Sequence, residues 1–153
     1  MGVATAGPPA GLYALDETAW LDAMAAVVRR RDAAGLDWDN LGEYLTDMAQ
    51  RDRREVKSRL VVLLAHLLKW EYQPGRRAAG WRATVIEQRQ RLVDVAGRGV
   101  LRSHAEAVLG EAYAEAIELA AAETRLPPET FPETCAFDLD GLLTVDPADD
   151  DGT

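Results

Sequence analysis

Apolar residues recur along this chain every three or four positions, and no stretch alternates with the period of two that marks a half-buried strand. The pattern predicts an all-α fold, a helical bundle of about four helices around one long central helix, with short C-terminal turns. The first helix is expected from about Asp16 to Ala34, with Asp16, Glu17 and Asp22 near its positive end and Arg29, Arg30 and Arg31 near its negative end. Gly35 then serves as a stop.

The second helix begins near Asp37 or Asp39, either of which can cap it. No proline or glycine breaks the chain between Glu43 and Gln73, which implies a helix of roughly 35 residues, about 50 Å long at 1.5 Å per residue. Its early seam is Leu41, Leu45 and Met48; polar Asp52-Arg53-Arg54-Glu55 interrupts it, and the stripe resumes at Val56, Leu60, Leu63 and Leu67. From Val61 to Leu68 the helix is apolar nearly all round, so it should be buried on several sides. Pro74-Gly75 opens a turn, and a third helix follows from about Arg77 to Ala96 with Trp81, Val85, Leu92 and Val95 inward. Gly97 and Gly99 break it. A fourth helix, about Val100 to Glu123, carries Leu101, Val108, Ala112, Tyr113, Ala116 and Ile117, and Pro127-Pro128 forbids its continuation. The expected organisation is a flexible head (1–11), one helical domain (12–147) and an acidic disordered tail (148–153).

With 153 residues the chain is long enough for a core without staples. Cys135 is the only cysteine, so no intrachain disulfide forms and a reducing cytoplasm fits. The start lacks the basic and apolar regions of a secretory signal. Gly2 fits a myristoylation pattern, but Ala6 stands where Ser or Thr is wanted. The run from Val61 to Leu68 is about half the length a bilayer needs and contains His66. The reading is a cytoplasmic protein with no membrane partner.

The net charge of −9 is uneven: residues 51–102 hold 13 of the 17 basic residues and 5 acids, and the remainder holds 4 basic and 21 acidic residues. A basic middle can face an anionic partner. It can equally be neutralised by acidic helices packed beside it, and the acidic total opposes general nucleic-acid binding.

Several blocks, in order, carry a resemblance. They are Tyr13-x-x-Asp16-x-x-x-Trp20, then Asp39-Asn40-Leu41-x-Glu43, then Ser58-Arg59-Leu60-x-x-Leu63-x-x-His66-Leu67-Leu68-Lys69-Trp70-x-x-Gln73-Pro74, then WRATVIEQR, and finally LPPETFPETCAFDLDGLL. Together they resemble the bacterial "domain of unknown function 29" family from about residue 12 to 147. The chain departs from the pattern at Gly42 and at Ala136, where the family often has an aliphatic residue and a proline. The resemblance implies an all-helical fold and brings no activity, cofactor or catalytic residue with it.

Candidate chemistry is sparse. Ala136-Phe-Asp-Leu-Asp-Gly is similar to the first motif of haloacid-dehalogenase-type phosphatases, but that motif ends a strand of a parallel α/β domain, and only 13 residues follow Asp140. A cap explains it better, with Asp138 heading a short turn that buries Leu139, Leu142 and Leu143. As a calcium loop it has its glycine too early and no Glu at the twelfth position. The two histidines lie 38 positions apart with no cysteine near, and neither follows a Glu by three, which argues against zinc and di-iron sites. Glu43 with Asp47, and Glu111 with Glu115, share helix faces at i,i+4. Cys135 has no basic neighbour to activate it, and no glycine-rich phosphate loop exists. The sequence points to no catalytic residue, metal or cofactor.

One cluster remains. Arg59, His66, Lys69 and Gln73 are spaced seven, three and four on one helix, and Arg76, Arg77 and Arg82 come next, around the start of the third helix, whose free amides attract anions. These seven are the candidate anion-binding residues, for a phosphate, a carboxylate or a nucleic-acid backbone. Read structurally, His66 is a hydrogen-bonded core residue whose partner comes from another helix or a bound anion, and the arginines pair with acids. The leading functional expectation is a non-enzymatic helical interaction module that forms a homo-oligomer or binds another protein. The alternative is anion or nucleic-acid binding through the basic hairpin around residues 59–82.

Overall fold

The computed structural model describes residues 7–147; the acidic tail at 148–153 and the first six residues of the head lie outside them. Every regular element among the described residues is helical: α1 (Leu12–Leu15), α2 (Glu17–Arg29), α3 (Trp38–Tyr72), α4 (Ala79–Ala96), α5 (Gly99–Thr124) and α6 (Leu139–Thr144). The four long helices are those the periodicity calls for, and the central one, α3, runs for 35 residues. The chain forms two compact units, divided between Gln50 and Arg51.

The first unit is organised by Trp20. It sits on α2 with Met24 and Val27, spaced four and three along the buried face. Tyr13 meets its ring edge-on at 4.7 Å and Tyr44 lies 5.8 Å away. A buried indole needs an acceptor, and Asp37 provides one: Trp20 Nε1 donates to Oδ2 at 3.0 Å, and Asn40 Nδ2 donates to the same oxygen at 2.8 Å. Those two donors, Asn40 first, hold the Asp37 carboxyl below the usual carboxylate range. Asp37 thus caps the start of α3 as expected, its carboxylate accepting from the Asn40 backbone N–H as well as from the two side chains.

The first long helix ends earlier than the periodicity suggests, at Arg29 rather than Ala34. Arg31 takes a left-handed φ of 54°, its N–H donates to Val28 O at 3.0 Å, and a single 3-10 turn covers Ala33–Gly35. Gly35 is needed less as a stop than for close packing: a Cβ there would lie 3.0 Å from Asp32 Oδ2 and 3.2 Å from Val27 Cγ1.

The second unit holds the larger core. Val56, Leu60, Leu63, Leu64, Leu67 and Leu68 of α3 pack with Val85 and Leu92 of α4 and with the alanine face of α5 (Ala105, Ala112, Ala116, Ala120). Alanine lets helices approach closely, so here α5 contributes contact rather than bulk. Between α4 and α5 the chain turns at Gly97 and Gly99. Gly99 adopts φ 72°, a conformation that favours glycine. Past α5, Phe131, Leu139 and Leu142 fold back onto the same core, with Leu143 packed at its margin. Asp138 caps α6, its Oδ1 accepting from Gly141 N at 2.8 Å.

Candidate functional site

The seven residues singled out at the hairpin corner do not converge. Arg59 donates from Nε and Nη2 to Glu55 Oε1 at 3.0 and 2.7 Å and from Nη1 to Gln88 Oε1 at 3.2 Å, which ties it to its own helix and to α4. Lys69 points toward the end of α5. Only 7% exposed, its ammonium donates to Glu123 Oε2 at 2.6 Å and lies 5.0 Å from the centre of the Trp81 ring. Gln73 donates to Thr124 O at 3.4 Å.

Arg77 and Arg82 do come together, with Trp70 and Ile86, around a shallow cleft of about 320 Å³ at the start of α4. Arg77 stacks on the Trp70 ring at 4.8 Å and donates from Nε to Trp70 O at 2.8 Å, so it closes the last turn of α3. Arg82 holds both oxygens of Asp146 at 3.1 Å, a bidentate fork that depresses the Asp146 pKa. Arg76 is exposed in the turn.

His66 finds its partner where sequence spacing did not look. Its Nδ1 lies 2.9 Å from Val62 O, the carbonyl one turn back on its own helix. A carbonyl only accepts, so Nδ1 carries the proton in this contact. The expectation of a partner on another helix is therefore corrected: side-chain spacing overlooks the backbone, whose carbonyls have a second lone pair. Burial pushes the His66 pKa down, Lys69 adds to that, and the Val62 hydrogen bond and Glu123 oppose it. A depressed histidine favours the neutral folded state. Its contribution is intact above the ordinary value near 6.5 and is lost as pH falls from there toward the folded value. An NMR titration should show His66 staying neutral below pH 6.5, and His66→Gln should remove that part of the stability loss. An imidazole titrating at or above 6.5 would contradict the burial argument.

The acidic pair Glu111 and Glu115 clasps Lys57, at 2.7 and 2.8 Å. The hydrogen bond to Lys57 is the main cause of the lowered Glu111 pKa. Arg102 pairs likewise with Asp140 of the phosphatase-like motif. Lys57, Lys69, Arg82 and Arg102, all from the basic middle, thus meet acids that lie beyond it in sequence. Burial raises the Cys135 thiol, whose Sγ–H donates to Phe137 O at 3.3 Å, so it is held as the unreactive thiol.

Two further features lie at the surface. On the amino-terminal half of α3, Trp38, Leu41, Leu45 and Met48 fall three, four and three apart, with Trp38 64% and Leu45 59% exposed. In the second unit an open groove of about 850 Å³ runs between α5 and the segment from Pro128 to Glu133. The hydrophobic pattern announced Leu41, Leu45 and Met48 of this seam and left out Trp38. It did not announce the groove, because an irregular proline-rich segment forms one wall.

Among the described residues no helix is long and apolar enough to cross a membrane. No curated protein and no solved structure matches the chain. A family model does, over residues 12–146, and on that match across nearly the whole chain it belongs to the DUF29 family, the Domain of unknown function DUF29.

Proposed function

We propose that this chain is a non-enzymatic helical protein-interaction module that forms a homo-oligomer through the amino-terminal half of α3. The observation that carries the reading is the seam of Trp38, Leu41, Leu45 and Met48, in which Trp38 and Leu45 are exposed and Leu41 and Met48 half-buried. The three-four-three spacing is that of a helix-pairing face, and a tryptophan and a leucine left mostly in water gain about 25 cal/mol for each Å² covered. Asp39, Glu43 and Asp47 lie between the seam positions, the polar setting that keeps such a stripe soluble until it is paired. A second copy offers the same stripe, so one contact satisfies both.

Light scattering during size exclusion tests it. At tens of micromolar the wild type should run as an oligomer, and Leu45→Glu, at an exposed position that tolerates change within about 0.5 kcal/mol, should return the monomer mass. A wild type that stays monomeric overturns the reading. The anion-binding alternative draws less support, since Arg59, Lys69, Arg77 and Arg82 already hold protein acceptors. A cytoplasmic setting fits the single cysteine, held as a thiol.

A further inference from the structure

The groove in the second unit has an apolar floor and an acidic rim. Tyr72, Tyr113, Ile117 and Phe131 line it, and Glu129 and Glu133 stand at its edge. Its aromatic wall is fixed in advance. Tyr113 donates through its hydroxyl to Pro132 O, and Tyr72 meets Phe131 edge-on at 5.3 Å. A ligand therefore finds a preorganised surface rather than one it must order. The volume of about 850 Å³ falls in the range that holds several side chains of a ligand.

Charge then selects the occupant. Glu111, Glu115 and Glu123 of α5 each hold a lysine, whereas among the described residues neither Glu129 nor Glu133 forms an ion pair. No lysine or arginine is among the residues lining the groove. Two unneutralised carboxylates beside an apolar trough are complementary to a segment that carries apolar side chains between cations.

We infer that this groove docks an arginine-bearing amphipathic segment of a protein partner, its apolar side chains against Tyr72 and Ile117 and its guanidinium groups on Glu129 and Glu133. The inference stands apart from self-association, because it uses residues of the second unit alone, and the Leu45→Glu protein serves equally well for its test.

The probe is a fluorescein-labelled octapeptide with two leucines between two arginines. Its twin carries citrulline, a neutral isostere, for both arginines. By fluorescence anisotropy at low salt the arginine peptide should bind on the order of tenfold tighter, since two rim pairs of modest strength multiply to about that ratio. Glu129→Gln with Glu133→Gln, both at exposed positions, should erase the difference and leave the citrulline twin unchanged. Ala114→Trp, which fills the groove from an exposed position on α5, should abolish binding of both. Equal binding of the two peptides, no saturable binding, or binding unaffected by Ala114→Trp would overturn the inference.

Discussion

Trp20→Ala is expected to strip about 3–5 kcal/mol from the stability of the first unit, the cost typical of truncating a fully buried tryptophan. Trp20 is wholly buried, with Met24 and Val27 the other buried positions on its helix. Truncation would leave a cavity bounded by Tyr13 and Tyr44, whose rings now pack on the indole at 4.7 and 5.8 Å. The loss of the indole donor adds little, because Asp37 keeps Asn40. Hydrogen exchange followed residue by residue over 17–50 is the appropriate measurement, since it reads the unit's own opening free energy. Protection of the α2 amides should fall by two to four orders of magnitude, the exchange-rate equivalent of that loss. Asp37→Asn separates the two contributions. It keeps the shape and an acceptor for the indole while removing the charge, and so should cost about 1 kcal/mol or less. Protection unchanged by Trp20→Ala would show that the aromatic cluster is not what holds α2 to the start of α3.

Much of this architecture was legible because it depends on periodicity. The stripe from Val56 to Leu67 required burial, and Val56, Leu60 and Leu63 are fully buried. The break at Gly97 and Gly99 required a turn, and Gly99 makes one with a left-handed φ. What the pattern missed depends on single backbone angles. The end of α2 is set by the positive φ of Arg31, which arginine adopts only under tertiary constraint, so no local propensity forecasts it. The candidate site was less legible still. Helix spacing placed Arg59, His66, Lys69 and Gln73 on roughly one side, yet a side-chain stem of several bonds lets each cation reach a different neighbour. Arg59 bends back to Glu55 and Lys69 reaches across to Glu123. Spacing fixes where a side chain starts and not which acid captures its end. His66 shows the complementary failure, since a search among side chains passes over the carbonyl of Val62.

The Lys69–Glu123 pair offers the sharpest test of what the corner is for. Lys69 is nearly buried and Glu123 is 42% exposed at its side chain, so the two partners are not equivalent. Removing the acid leaves an ammonium without its counter-charge in a poorly solvated place, against the Trp81 ring 5.0 Å away. Removing the base leaves a carboxylate that water can reach. Glu123→Ala should therefore cost about 2–3 kcal/mol, at or below the low end for breaking a buried pair because one partner is partly solvated. Lys69→Met keeps the length and packing of the stem and should cost about 1 kcal/mol or less. Urea denaturation of both variants and of the double variant checks this. The double variant should regain most of what Glu123→Ala loses, since the orphaned charge is gone. Phosphate separates the structural role from an anion site. If Lys69 is a structural cation, phosphate at millimolar concentration leaves the Glu123→Ala curve no more shifted than the wild-type curve. If the corner takes anions, phosphate fills the place of the lost carboxylate and restores stability to Glu123→Ala alone. Equal costs for Lys69→Met and Glu123→Ala would contradict the desolvation argument, because then the pair would matter through packing and not through the charge that Glu123 holds in place.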